Sequence, residues 1–339
     1  MSAASSSPPI SNREQVELFT QIADRLKTLE RSSFTSDEKT GDLVLPRGAP
    51  FMARMDGHSF STFTRGIARP FDRRLATAMR RTAADLLREF TPDVAYTHSD
   101  EITLLWMPAF DDSKPPVPRV PMFNGRVHKI NSLLSAFASV RFNFHLLEQF
   151  RDVVADVSIT NDFVRSPDYD DDYVLPTSAQ VGTNCDTVTY SAQTLVKVRS
   201  FCAIFDSRIF ALPEPVQTLR EYFAWRQCHD CRRNSTHALA RSLFSTKQLE
   251  SVSVPGMAKL LVDAGVHYDA MDAQFREGVF VRRQLVELPC VDHKTGLPTV
   301  AIRQRFAFVH TPIRLTDTDA AVAWLTEKVR KQTKRESEQ

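Results

Sequence analysis

Two short apolar runs in this chain end in carboxylates, and the stretch between them has room for one helix. Pro50-Phe51-Met52-Ala53-Arg54-Met55 runs into Asp56-Gly57. Val94-Ala95-Tyr96-Thr97-His98 runs into Ser99-Asp100-Glu101 and continues through Ile102-Thr103-Leu104-Leu105-Trp106. Apolar and β-branched runs of this length read as strands. Residues 71 to 90 have helical spacing, with Leu75, Met79, Leu86 and Leu87 inward and Arg73, Arg74, Arg80, Arg81 and Arg88 mostly outward. The order is strand, helix, hairpin. One acid sits at a strand end and two more sit at the hairpin tip.

The 339 residues suffice for a sizeable core. Apolar content of 42% and charged content of 25% are ordinary for a soluble globular chain. A net charge of +2 means that any nucleic-acid surface must come from local clustering. No apolar stretch has the length of a membrane span. Residues 1 to 12 are Ser- and Pro-rich with no apolar core and little Arg, which does not fit a secretory or mitochondrial leader. Five scattered cysteines fit a reducing compartment. The expectation is an intracellular protein, cytoplasmic rather than mitochondrial.

Five segments are expected. Residues 1–48 form an N-terminal extension with one amphipathic helix, Glu14 to Arg31. Residues 49–150 hold the first part of the core and end in a helix from Arg126 to Phe150. In that helix Ile130, Leu133, Leu134, Phe137, Val140, Phe144 and Leu147 lie on one apolar side. Residues 151–196 read as an acidic, Ser- and Thr-rich insertion. Residues 197–329 complete the core. They comprise a strand over Ser200–Asp206 continuing to Ala211, a helix from Pro215 to about Phe244, and one short helix within 246–265. Strands over Val266–Arg283 and Val300–His310 and a closing helix over Ala320–Val329 follow. Residues 330–339 are a charged tail.

From spacing alone, Asp56, Asp100 and Glu101 read either as a solvated turn or as carboxylates that converge on divalent metal. Gly57 permits a sharp turn and a close backbone approach to phosphate, and the residues after it could cradle phosphate oxygens. Strand, helix and acid-tipped hairpin together match a polymerase-palm-like (ferredoxin-like) α+β fold, an antiparallel sheet with packed helices and C-terminal additions. Cys228-x-x-Cys231 with His229 and His237 admits a zinc reading, against plain packing on one helix face.

Seven ordered pieces then resemble one family. They are Arg54-x-Asp56-Gly57-x-x-Phe60, Arg69-Pro70-x-Asp72, Tyr96-x-x-Ser99-Asp100-Glu101, Arg126-x-x-Lys129, Phe205-Asp206-x-Arg208, Tyr222-x-x-Trp225-Arg226-Gln227 and Arg276-x-Gly278. Over about residues 50 to 283 the chain is similar to the tRNA-histidine guanylyltransferase superfamily of 3′-to-5′ nucleotide-adding enzymes. The resemblance implies two Mg²⁺ ions held by Asp56, the Gly57 carbonyl and Asp100, with Glu101 in the same acidic, catalytic set. It implies a triphosphate held by backbone from Gly57 through His58, Ser59, Phe60 and Ser61, together with Ser99, Arg69, Arg126 and Lys129. ATP and GTP or another nucleoside triphosphate would be substrates. Transfer RNA would be the partner, and a homotetramer the assembly.

The chain also departs from the family's pattern. Three residues after Gln227, Cys231 to His237 stands in place of the family's His-Ile-Asn-Asn-Leu-Tyr-Asn segment with only Asn234 in register, Ser61 stands where a histidine often follows the Asp-Gly turn, and Arg69 replaces a lysine. The resemblance therefore points to the guanylyltransferase-like branch and templated repair of 5′-truncated tRNA. Addition of a single 5′ G, a catalytically idle RNA-binding module and a palm-type nucleotide cyclase are the alternatives.

Overall fold

The computed structural model describes residues 12–32, 35–36, 42–107, 121–150, 190–212, 214–314 and 323–325. Two short strands, β1 (Thr35–Ser36) and β2 (Leu43–Val44), pair with each other. The main sheet holds β3 (Phe51–Gly57), β4 (Val94–His98), β5 (Glu101–Trp106), β6 (Phe205–Ala211), β7 (Val279–Val291) and β8 (Pro298–Val309). Their order is β6-β3-β5-β4-β7-β8, and every neighbouring pair is antiparallel. The helices are α1 (Asn12–Ser32), α2 (Phe60–Phe63), α3 (Arg73–Phe90), α4 (Val127–Gln149) and α5 (Ala192–Arg199), followed by α6 (Pro215–Trp225), α7 (Arg232–Leu243), α8 (Thr246–Leu249), α9 (Val254–Asp263) and α10 (Ala273–Arg276).

Strands β3, β4, β5 and β6 with helices α3 and α4 make a βαββαβ unit with the ferredoxin-like order of a palm, as the sequence led one to expect. Side chains alternate across it. Phe51, Ala53, Met55, Ile102, Leu104 and Trp106 join one core with Met79, Leu86, Ile130 and Phe142 from α3 and α4. Met52, Tyr96, Leu105 and Phe210 join a second core with Phe19 and Leu26 of α1 and Tyr222 and Phe223 of α6. Because both faces are covered, β3 and β5 are near-continuous apolar runs rather than alternating ones.

Local chemistry sets the element ends. The Asp72 carboxylate caps α3, accepting from the N–H groups of Arg74 at 2.8 Å and Leu75 at 3.4 Å. The same side chain accepts from Tyr190 Oη at 2.7 Å, and Tyr190 Oη in turn accepts from Arg74 Nη1 at 2.9 Å. Between α3 and α4 the buried Asp85 meets Arg141 Nε at 2.5 Å and His145 Nε2 at 2.6 Å. Asn143 clamps the chain ahead of β6, donating to Ala203 O at 2.7 Å and accepting from Ala203 N at 3.2 Å.

Several expectations change. The strand expected over Val266–Arg283 begins only at Val279, because Asp272 caps α10 and Gly278 turns the chain. Ser200–Ile204 is a loop, and the strand starts at Phe205. Residues 246–265 hold two helices, α8 and α9. Of the arginines expected outward on α3, Arg80 is buried. On α4, Leu133 and Val140 are exposed, while the polar Asn143 and His145 are buried. The expected insertion limit at residue 196 falls inside α5; residues 151–189 lie outside the described residues, as do 330–339 and most of 320–329. Among the described residues no helix is long and apolar enough to cross a membrane.

Candidate active site

The register of the sheet brings the acids together. Asp56, next to last in β3, lies opposite Glu101 of β5 on one side and Asp206 of β6 on the other. Cross-strand partners share a face, so Asp206, Asp56 and Glu101 form a row on the α6 side of the sheet, continued by His98 of β4. Asp100 joins from the β4–β5 turn, where Ser99 adopts φ 50° and donates its hydroxyl to Asp100 Oδ1 at 3.0 Å. The Gly57 N–H donates to Asp100 O at 3.0 Å, which ties the end of β3 to that turn.

The electrostatics follow from this crowding. Burial, then the charges of Glu101 and Asp100, push the Asp56 carboxyl up to about 6. Arg54, with Nη2 4.0 Å from Asp56 Oδ2, opposes the shift, and Asp206 adds to it. Burial also raises Asp100, and its bond from Ser99 offsets part of that rise. Glu101 is anchored differently: its Oε2 lies 2.8 Å from Nη1 of the buried Arg226. Arg226 stacks over Trp225 at 4.3 Å and meets Asp230 at 2.5 Å. Burial would raise Asp230, but its bond with His229 and the charge of Arg226 outweigh it and hold the carboxyl at about 2. His98 is buried 3.7 Å from Glu101, and burial holds its pKa below the usual value, so it stays neutral.

Arg226 starts a π-helical segment, Arg226–Cys231, between α6 and α7. Inserted π turns recur at functional sites. This one aligns the helix with several elements at once. Tyr222 Oη meets Thr103 at 3.0 Å, and Gln227 donates to Glu277 O at 3.0 Å and Thr311 O at 3.1 Å. Tyr96 Oη donates to Glu277 O at 2.8 Å, and Gly278 (φ 75°) turns there because a Cβ would sit 2.5 Å from that phenol. These contacts account for the Tyr-x-x-Trp-Arg-Gln and Arg-x-Gly pieces of the sequence. Cys228 and Cys231 of this segment direct their thiols at the carbonyls of Ile313 and Phe275.

After Gly57 the chain turns sharply. Ser59 adopts φ 54° and opens the short helix α2. A Cβ on Gly57 would meet the Phe60 ring at 2.4 Å, so this position needs glycine. Helix geometry leaves the N–H groups of Phe60 and Ser61 without an intrahelical acceptor. A cleft of about 490 Å³ opens beside them. Phe60, Ser61, Arg69, Phe71, Asp72, Ser99 and Asp100 line it. Asn234, Ser235, His237, Arg241, Gln274 and Phe275 also line it, with Phe275 stacked on Phe71 at 4.4 Å.

Most of the expected site residues thus meet at one place. Asp56, Gly57, Ser99, Asp100 and Glu101 converge, and Phe60, Ser61 and Arg69 border the cleft. His58 and Ser59 are exposed on the turn between these groups. Arg126 and Lys129 are not part of the cleft lining. They sit at the start of α4, with Lys129 Nζ 5.0 Å from the Phe123 ring. That end of α4 leans on β6, where Ser207 Oγ donates to Asn131 Oδ1 at 3.0 Å. Asp206 was missed as a site residue, although its Phe205-Asp206-x-Arg208 surroundings stood out in the sequence.

Among the described residues no three His, Cys, Asp or Glu side chains form a ready-made metal cage. The donors at the β3–hairpin junction are the two carboxylates Asp56 and Asp100 and the Gly57 carbonyl. That set of hard oxygens suits Mg²⁺, which keeps several water or phosphate ligands. Burial first, and then the neighbouring charges of Glu101 and Asp100, hold the Asp56 pKa up, and a cation there would offset both.

A family model described as tRNAHis guanylyltransferase matches residues 32–213, more than half of the chain. The chain belongs to the tRNAHis guanylyltransferase family. A relative from Acanthamoeba polyphaga mimivirus, uncharacterized protein R259, is 29% identical over 78% of each chain. The fold is that of a bacterial tRNAHis guanylyltransferase-like protein solved in complex with ATP. The two share a TM-score of 0.54 and 23% identity over 86% of this chain and 93% of that one. A second such structure, in complex with GTP, gives a TM-score of 0.51 and 21% identity over the same shares. Family membership gives the chain a nucleotidyltransferase's ancestry, and the acid row and the cleft are where that chemistry would be housed.

Proposed function

We propose that the protein is a metal-dependent nucleotidyltransferase that extends the 5′ end of tRNA in the 3′-to-5′ direction, by templated repair of 5′-truncated molecules. The observation that carries this reading is that Asp100, which lines a nucleotide-sized cleft, is tied to Asp56-Gly57 through the Gly57 N–H. Asp56 and Asp100, with the Gly57 carbonyl, would hold Mg²⁺, which supplies charge stabilisation on the transferred phosphoryl group.

Other residues bind and orient. The backbone N–H groups of Phe60 and Ser61, with Ser99 and Arg69, face the triphosphate, because those of Gly57 and His58 are already bonded to Asp100 O and Ile204 O; Arg126 and Lys129 stand apart at the start of α4. The 3′-hydroxyl oxygen of the incoming nucleotide bonds to the 5′ phosphorus of the RNA, and the bond to pyrophosphate or AMP breaks. Glu101 is a positioning residue held by Arg226, and it keeps the hairpin tip in place under Asp100.

The departure from the family's pattern after Gln227, where only Asn234 keeps the register, is what favours templated repair; His237 and Asn234 line the cleft. The family's own description favours a second reading, addition of a single G to histidine tRNA. The deciding experiment is Mg²⁺-supported addition to 5′-truncated tRNA with C or A facing the gap, comparing the native protein with Asp100→Ala. Addition that follows the opposing base and vanishes in Asp100→Ala supports repair. Addition of G alone, whatever base it faces, supports the second reading. No addition to any RNA sinks both.

A further inference from the structure

The chain from Tyr190 to Ile204 retraces, in reverse, the loop that follows Asp56-Gly57. Ile204 O accepts from His58 N at 2.8 Å. Lys197 Nζ donates to three carbonyls at and just beyond the end of α2: Arg65 O at 2.9 Å, Thr62 O at 3.3 Å and Phe63 O at 3.5 Å. Gly66, at φ 95°, passes so close to α5 that a Cβ there would collide with Thr194 Oγ1. Tyr190 Oη donates to Asp72 Oδ2 at 2.7 Å, and the same oxygen accepts from Ala68 N at 3.3 Å. The two stretches thus meet in opposite order: Ile204 with His58, Lys197 with Thr62 to Arg65, Thr194 with Gly66, and Tyr190 with Asp72. Only one of them borders the cleft. Phe60, Ser61, Thr64 and Arg69 line it, and no residue from 190 to 204 does. The second stretch is a brace behind that wall. The buried Val198 fixes it to the core, Ser191 caps α5 by accepting from Thr194 N at 3.2 Å, and Asn143 bonds both the N–H and the carbonyl of Ala203.

We propose that Lys197 is a positioning residue for the triphosphate: by gathering the carbonyls of Thr62, Phe63 and Arg65, it sets where Phe60 and Ser61 stand in the cleft. This inference rests on the triphosphate site proposed above. A lysine ammonium has three donors and no acceptor, so three converging carbonyls use it fully. Bonds from a charged donor are roughly twice as strong as neutral ones. The loop has little of its own to fix its shape. Helix α2 is four residues long and is flanked by Ser59 and Gly66, both at positive φ. One turn of helix is marginal without outside support. Thr194 and Lys197, three residues apart, share one face of α5 and reach the loop together. Lys197 does not line the cleft, so it acts through the loop rather than as a phosphate ligand.

The test titrates the full chain with inorganic tripolyphosphate in Mg²⁺, and separately with adenosine, by calorimetry. Lys197→Met keeps the apolar stem and removes the donors. It is expected to weaken tripolyphosphate about tenfold and to leave adenosine unchanged. Lys197→Gln, which keeps an amide donor, is expected to fall between the two and reads the same effect at less risk to folding. Amide exchange from Thr62 to Gly66 should quicken in Lys197→Met while that of β3 and β5 holds. Absence of tripolyphosphate binding by the native protein, or equal affinity in all three proteins, would overturn the proposal, as would a parallel loss for adenosine. So would a loss that vanishes in about 0.5 M salt, which marks direct attraction between charges. Nucleotide addition by the native protein, with KM for the triphosphate unaltered in Lys197→Met, sinks the brace and spares the proposed function. A graded loss of tripolyphosphate binding without addition to any RNA does the reverse.

Discussion

The guanidinium of Arg226 lies 2.8 Å from the carboxylate of Glu101, the residue immediately after Asp100. The pair is almost wholly buried, with side-chain exposures of 3% and 14%. It links a π-helical turn on one layer to the hairpin tip on another, so the acid row depends on a helix more than 100 residues later in the chain.

Removing one partner of such a pair leaves the other charge without compensation. Arg226→Met is expected to cost about 3–5 kcal/mol in urea unfolding, because the largely buried Glu101 loses its cation and Asp230 keeps only the more exposed Arg233. A loss below about 1 kcal/mol would show that the pair is not a structural anchor.

Asp56→Asn is expected to raise the melting temperature of the metal-free protein while abolishing nucleotide addition, since it removes a buried charge that is also repelled by Glu101 and Asp100. The sign follows from the carboxyl being pushed up to about 6 from 3.8. The folded state holds this proton more tightly than the unfolded chain does. This group therefore leaves stability intact below its unfolded value and lowers it as pH rises from there through about 6. The gain from Asp56→Asn should accordingly be larger at pH 8 than at pH 4. Equal gains at the two pH values would refute the assignment.

Mg²⁺ needs the ionised carboxylates. Its affinity, read by Mn²⁺ competition in an electron-spin titration, is expected to fall as pH drops through about 6 in the native protein. Asp100→Asn should weaken binding at every pH. Affinity independent of pH between 5 and 8 would exclude Asp56 as a ligand.

Gly278→Ala should destabilise the protein by more than about 1 kcal/mol, since the position combines a φ of 75° with the Tyr96 phenol where a Cβ would stand. The midpoint of urea unfolding is the measurement, and an unchanged midpoint would mean that this turn is free to rearrange.

Much of the palm could be read from the sequence because its strands and helices are local and strongly patterned. The runs ending at Asp56 and at Ser99 became strands with ends close to those expected, and Asp72 capped the helix where a cap was needed. What could not be read depends on register and long-range pairing. Asp206 is 150 residues from Asp56 in sequence, and only the β3–β6 alignment makes it a neighbour. Tyr190 meets Asp72 across 118 residues, from the border of a stretch whose polar composition also hid α5. The run from Val266 alternates enough to suggest a strand, but caps and a left-handed glycine broke it into short turns. Arg80 looked solvated from its charge and spacing, yet it is buried beside Phe308, with its guanidinium 5.8 Å from that ring.

The long β7–β8 hairpin meets the rest of the sheet through only its first four residues, Val279 to Arg282, which pair with β4. Beyond Arg283, whose guanidinium donates to Pro92 O at 2.8 Å and to Leu87 O, the rungs out to the pair Val291 and Pro298 pair with no other strand among the described residues. Such an arm is a cantilever. Torque or sequence drift at its tip, Asp292 to Leu297, is absorbed by the ribbon's own twist before it reaches Tyr96 and the acids beyond. A longer, shorter or differently charged tip should therefore leave the carboxylate row in its alignment.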